Sequence, residues 1–232
     1  MKKICFISDS FLWEEKIRPV LHRAISHVIE QNDAVEFWFH TLREPFLQEA
    51  VIAIPEIRKS FPEKQVAVVA VVDPLRKMEL GRTDDQMLHT DGFQENSVDR
   101  VEYAPLFDGK CEKNATHFIQ HFYKVNQWMY RQCDEVIAYF YDNLPTSLSK
   151  CESSILMGKS RLPYQHIYLP ETRALIDSQI AQLSEKEKYF MQKMNQGVSC
   201  AALAREFGIS YNRVLQYATR AKRRICGYIP KD

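Results

Sequence analysis

Only seven glycines and ten prolines occur among 232 residues, and no low-complexity tract or internal repeat interrupts the chain. That composition excludes a linker-rich disordered protein, a collagen-like one and a solenoid. Six cysteines (Cys5, Cys111, Cys133, Cys151, Cys200 and Cys226) are scattered without a Cys-x-x-Cys pair. A zinc ribbon and a disulfide scaffold are both disfavoured, and the cysteines read as reduced thiols. Long apolar runs are missing too. The first, Ile4 to Ile7, is closed by Ser8-Asp9-Ser10, far short of a signal peptide or a membrane span. The expectation is a cytoplasmic protein with no membrane partner. With 45% hydrophobic residues over this length, there is core enough for about two domains.

Charge of one sign is also missing locally, because no acid lies between Ser210 and Pro230. Residues 181 to 232 carry ten Lys and Arg against four Asp and Glu, a net of +6, which leaves 21 against 26, or −5, for residues 1 to 180. The near-neutral total of +1 therefore conceals two halves of opposite sign.

The basic half has a helical pattern. Ser184 and Glu187 form a Ser-x-x-Glu capping box, and Leu183, Glu187, Phe190, Met191 and Met194 make a mostly apolar stripe, which predicts a helix over about Glu185 to Asn195, stopped by Gly197. Ser199 caps a second helix that turns Leu203, Ala204 and Phe207 inward, and Gly208-Ile209-Ser210 supplies a turn and the next cap. In the third helix Val214, Ala218, Ala221 and Ile225 share one face. The other face carries Ser210, Tyr211, Asn212, Arg213, Gln216, Tyr217, Arg220, Arg223 and Arg224. Asn, Gln and Arg match base edges, and the cationic end, Lys222 included, suits phosphates. Double-stranded DNA is the expected partner.

Residues 1 to about 172 alternate strand and helix. Strands are predicted at Lys3 to Ile7, Val35 to Phe39, Val66 to Val72, Glu135 to Tyr141 and His166 to Leu169, and helices around Ile17 to Val28, Pro45 to Lys59, Ala115 to Gln132 and Ser147 to Gly158. The unbroken run Val66 to Val72 suits a strand buried on both faces. The rhythm lapses between Pro74 and Asn114, where only Val101 to Ala104 resembles a strand. The fold class is therefore α/β: a Rossmann-like sandwich with a mainly parallel sheet, plus a small all-α C-terminal domain. Residues 1–172 form the α/β domain, 173–182 a helical connector, and 183–232 the helical domain.

Ligands of such sheets sit at the carboxyl ends of the strands. The candidate positions are Ser8, Asp9 and Ser10, then Thr41 and Arg43 in His40-Thr41-Leu42-Arg43, Asp73-Pro74, and Asp142, Asn143, Thr146 and Ser147. Hydroxyls and cations there suit an anionic ligand, although Ser, Thr and Pro are also ordinary turn residues. His117 and His121 lie four apart on a predicted helix, with Cys111 upstream. Two ligands without a clear third read as a surface histidine pair, so no metal is expected. Trp128 and Met129 read as core.

The stretch LSEKEKYFMQKMNQGVSCAALAREFGISYNRVLQYATRAKRRI resembles the helix-turn-helix of LuxR-type regulators and of sigma factor region 4, over about a fifth of the chain. FLQEAVIAIPEIRKSFPEKQVAVVAVV and YKVNQWMYRQCDEVIAYF, with the order of elements, are similar to the SLOG superfamily of Rossmann-like nucleotide-ligand domains, the Asn126-Gln127-Trp128-Met129 echo pointing to its YpsA-like branch. That resemblance implies a nucleotide-derived ligand. Nucleotide-binding members carry glycine-rich turns where this chain has His40 to Pro45 and Asp142 to Ser147, neither containing glycine, so the phosphate cradle is degenerate. The catalytic constellation of LOG-type hydrolases is not intact; Glu152 stands near the expected acid and reads as a solvated helix-face glutamate.

These observations lead to a DNA-binding protein, a transcriptional regulator and not an enzyme, whose SLOG-like domain senses a ligand or mediates self-association as a homodimer or higher homo-oligomer. No cofactor is assigned beyond a nucleotide-derived ligand. The alternatives are a nucleotide-metabolising SLOG/LOG-like enzyme and a non-catalytic interaction module.

Overall fold

A computed structural model describes residues 1–9, 14–42, 44–94, 96–107, 115–142, 144, 152, 155, 162–196 and 198–227, with backbone alone at 115–120 and 226. Two compact units emerge. One comprises Met1–Ser8, Arg18–Tyr139 and Leu148–Ile167; the other comprises Asp9–Ile17, Phe140–Ser147 and Tyr168–Asp232.

In the first unit the described residues form a six-stranded sheet in the order β4-β3-β2-β1-β5-β6. The strands are β1 (Lys2–Ser8), β2 (Ala34–Phe39), β3 (Gln65–Val72), β4 (Arg100–Tyr103), β5 (Glu135–Tyr139) and β6 (Tyr164–Ile167). Every pairing is parallel. The continuous apolar runs follow from that arrangement: Ile4 to Ile7, Val68 to Val72 and Val136 to Tyr139 are all buried, as strands covered on both faces must be. Aromatic rings fill the space beside β1, with Phe6 stacked on Phe39 at 4.9 Å and Phe46 tilted on Tyr139 at 5.3 Å. Chain order runs outward from β1 to β4 and then resumes at β5 beside β1, so the switch point lies between β1 and β5, where Ser8 pairs with Tyr139.

Helices α1 (Arg18–Glu30), α2 (Pro45–Ile57) and α5 (Ala115–Gln132) have the expected places. Pro55 lies inside α2, which ends two residues later and passes into a 3₁₀ turn over Arg58–Ser60. The stretch from Pro74, which had no rhythm in sequence, contains two short helices and an edge strand: α3 (Pro74–Leu80), α4 (Asp84–Thr90) and β4. Seven residues are too few for an apolar stripe to repeat, and α3 buries no side chain. Their ends carry the signal instead: the Asp73 side chain caps α3 ahead of Pro74, Gly81 closes it at φ 59°, and Thr83 and Gln86 form a capping box. The helix expected over Ser147 to Gly158 falls outside the described residues apart from Glu152 and Ile155.

The second unit contains α6 (Pro170–Ala181), α7 (Glu185–Asn195), α8 (Cys200–Phe207) and α9 (Tyr211–Cys226). Three serines start the last three helices: Ser184 accepts from the Glu187 N–H, Ser199 from Ala202 and Ser210 from Arg213. Each satisfies an otherwise orphaned donor of a first turn. Between α8 and α9 the chain reverses in three residues, with Gly208 left-handed at φ 60°, donating to the Ala204 and Arg205 carbonyls. A side chain is disfavoured there, which is why glycine stands at this position.

Phe190, Leu203, Ala204 and Val214 form the shared core of α7, α8 and α9, with Tyr189, Met194, Val198, Ile209 and Tyr217 packed around it. The Phe190 ring meets Phe207 edge-on at 4.9 Å and stacks on Tyr217 at 5.5 Å. Helix α6, expected as a connector, is packed within this unit through buried Thr172 and Ile176.

Candidate functional site

Three groups of side chains stand out, each lying within one unit. The first is the outward face of α9. Tyr211, Asn212, Arg213, Gln216, Arg220, Arg223 and Arg224 are exposed, as is the capping Ser210, while Val214, Ala218, Ala221 and Ile225 are buried. The apolar spacing dictates the division: residues at i, i+4, i+7 and i+11 fall on one side of a 3.6-residue helix, leaving the amides and guanidiniums on the other. Tyr217 is turned partly inward on Phe190, with the Arg213 guanidinium 5.4 Å from its ring centroid. Its ring thus supports the helix packing and steadies Arg213. Two hydrogen bonds from Ser184 hold the Glu187 carboxyl below its usual range, and the Arg224 charge adds to the effect. Arg224 thus has an acidic neighbour.

Lys222 departs from the expectation of a phosphate contact. It is 7% exposed, and its ammonium donates to the Asp9 carboxylate at 2.7 Å. Its position, four residues after Ala218 and three before Ile225, puts its stem on the buried flank.

The second group surrounds the loops that follow β1 and β5. Glu14, 4% exposed, accepts from the Tyr141 hydroxyl at 2.8 Å and from the Thr172 hydroxyl. The Leu169 N–H donates in turn to the Tyr141 oxygen at 3.3 Å. Burial and the Glu14 carboxylate push the Tyr141 phenol far above its ordinary range, so it remains a donor. Asp142 pairs with Arg173 at 2.9 Å, and its carbonyl accepts from Asn195 at 3.4 Å. The aromatic run Tyr139-Phe140-Tyr141 is wholly buried. These contacts hold the two strand-end loops to α6, α7 and α9 within one unit.

The third group lies in the sheet unit at the carboxyl ends of β2 and β3. His40, next after β2, hydrogen-bonds through Nδ1 to Asn126 Oδ1 at 2.8 Å; since Oδ1 can only accept, Nδ1 carries the proton. Asp73, next after β3, accepts from the Leu75 and Arg76 N–H groups through one oxygen and meets His121 Nδ1 at 2.7 Å with the other. Arg76 pairs with Asp91, whose carbonyl accepts from the Leu42 N–H at 2.8 Å. Gly92, at φ 93°, lets this approach happen, because a Cβ there would stand 3.2 Å from the Leu42 backbone oxygen. His121 is therefore not a surface histidine: it is 4% exposed and bound to Asp73. Among the described residues no group of three or more His, Cys, Asp and Glu side chains is suited to a metal ion.

Burial holds the His40 imidazole below its ordinary 6.5, against the raising influence of Asn126 and of the Asp91 and Asp73 charges. The unfolded chain then takes up the proton first. The stability tied to neutral His40 is thus full above pH 6.5 and is lost as pH falls from there toward the folded value. Thermal unfolding is expected to move to lower temperature between about pH 7.5 and 5.5, and less so in His40→Gln, which keeps a donor for Asn126. Identical pH curves for the two proteins would remove His40 as the cause.

Of the strand-end candidates, Ser8 ends β1 with a buried hydroxyl that has no partner among the described residues. Asp9 and Thr41 are buried and Asp142 is exposed. Ser10, Arg43, Asn143, Thr146 and Ser147 lie outside the described residues. Glu152 is half-buried and accepts from the Tyr130 hydroxyl at 2.9 Å, so it is not a freely solvated glutamate. Sequence reading overlooked His40, Asp91 and Asn126 as bonded groups and took His121 for a surface residue. The strand-end segments His40-Thr41-Leu42-Arg43 and Asp73-Pro74 marked the place in advance, without the bonds made there.

No known family's sequence profile matches the chain, and no curated protein sequence matches it. Among the described residues no helix is long and apolar enough to cross a membrane.

Proposed function

We propose that the protein binds double-stranded DNA through α9 and acts as a transcriptional regulator. The observation that carries this reading is the exposed face of that helix. Asn212, Arg213, Gln216, Arg220 and Arg223 project from a helix whose opposite side is buried, and whose start is fixed by the Ser210 cap after a three-residue turn. A helix so presented has the diameter of a major groove, amide and guanidinium groups for base edges, and cations for phosphates. Residues 183–232 are read accordingly as a helix-turn-helix of the LuxR and sigma factor region 4 kind.

In the same reading the SLOG-like sheet unit senses a nucleotide-derived anion at its strand ends or mediates self-association. A homodimer would space two copies of α9 for half-sites about one turn of DNA apart, and a ligand would act by shifting that spacing. The test is titration of the full chain into fluorescent random and genomic DNA fragments at two salt concentrations. Binding that weakens steeply with salt supports the reading; no binding at low salt overturns it.

A further inference from the structure

Lys222 stands apart from the other cations of α9. Arg220, Arg223 and Arg224 are exposed, whereas Lys222 is buried and its ammonium lies 2.7 Å from an Asp9 carboxylate that is itself 1% exposed. The partners are 213 residues apart in sequence and belong to one compact unit. A buried ion pair is a poor source of net stability, since removing both charges from water offsets most of their attraction. It is nonetheless strict about geometry, because moving either partner exposes the desolvation penalty in full. The apolar side of α9, Val214, Ala218, Ala221 and Ile225, is held by non-directional packing, which constrains the rotation of the helix about its axis less sharply than a paired charge does. The Asp9 contact tolerates little.

We propose that Asp9 is a positioning residue for α9: by holding Lys222 it fixes the rotation of the helix, and with it the direction in which Asn212, Arg213, Gln216 and Arg220 project. The inference rests on the DNA-binding reading for its functional consequence. The mechanical link between Asp9 and α9 does not depend on that reading.

Full-length Asp9→Asn, Lys222→Met and the double variant are compared with the parent by amide hydrogen exchange and by DNA titration over a range of salt. Asp9→Asn is expected to speed exchange along Tyr211–Cys226 while β1 to β3 keep their protection. Each single variant is expected to lose roughly tenfold in DNA affinity with an unchanged salt slope, since Lys222 touches no phosphate. The double variant is expected to lose less than the two losses multiplied together, because the side chains act as one pair. It also replaces both charges at once, and so serves if a single variant fails to fold. A slope lowered by about one in Lys222→Met would make Lys222 a phosphate contact and overturn the positioning role, leaving DNA binding intact. Faster exchange in α9 of Asp9→Asn, with no DNA binding by the parent, would leave the link standing and remove the DNA reading. Unchanged exchange in α9 of Asp9→Asn and of the double variant would overturn the proposal whatever the DNA result.

Discussion

Replacing Arg220 and Arg223 together by alanine is expected to weaken DNA binding by roughly ten- to a hundredfold near physiological salt and to lower the salt slope by about 1.8. Both side chains are exposed on α9, and neither belongs to the core of the helical unit. Their loss should leave thermal unfolding within about 0.5 kcal/mol of the parent. The slope is the decisive reading, because each phosphate neutralised releases counterions in proportion, whereas a base-edge contact does not. An equal loss on random and on preferred fragments would assign the pair to the backbone. A loss confined to preferred fragments would assign at least one to base recognition. Unchanged affinity and slope would remove α9 as the DNA-facing helix.

Phe190→Ala is expected to cost about 3–5 kcal/mol, enough to melt the packing of α7, α8 and α9 at ambient temperature. Phe190 is 0% exposed, and three other rings, Tyr189, Phe207 and Tyr217, lie within 6.4 Å of its centroid. Alanine would leave a cavity and strip edge-on and stacked contacts at the same time. Urea titration followed by near-ultraviolet circular dichroism measures the loss. Phe207→Ala is the control, since Phe207, expected to turn inward with Leu203 and Ala204, sits at the end of α8 37% exposed and much of its ring already meets water. A comparable effect from the two substitutions would mean that Phe190 is not the centre of this core. DNA binding should fail in Phe190→Ala for a different reason than in the arginine variant: the helix is no longer held, although its cations remain.

The C-terminal helices were almost fully legible in sequence, and the reason is local. Caps, glycine turns and apolar spacing act within a few residues, so Ser184, Ser199, Gly208 and Ser210 mark boundaries that the structure keeps to the residue. The central strands were legible for a similar reason, since a parallel strand buried on both faces must be an unbroken apolar run, whereas edge strand β6, expected at His166 to Leu169, is Tyr164–Ile167, a half-exposed segment without such a run. Helices α3 and α4 were not, because at seven residues each they are held by their ends and not by a stripe.

What a cation or a histidine does could not be read in the same way. Arg220, Lys222 and Arg223 look alike in a basic run, yet two face outward and the third is buried on Asp9. His121 looked like half of a surface pair and is instead clasped by Asp73. Periodicity and turn chemistry along the chain were enough to read the longer helices, the central strands and their order, the parallel α/β class and the amphipathic division of α9, but not α3, α4 or the bounds of β6. Which charges are paired, which polar groups meet at the strand ends, and that Asp9 holds Lys222 of the last helix were settled by tertiary packing alone. Those outcomes depend on contacts between residues as many as 213 positions apart, and no local pattern encodes them.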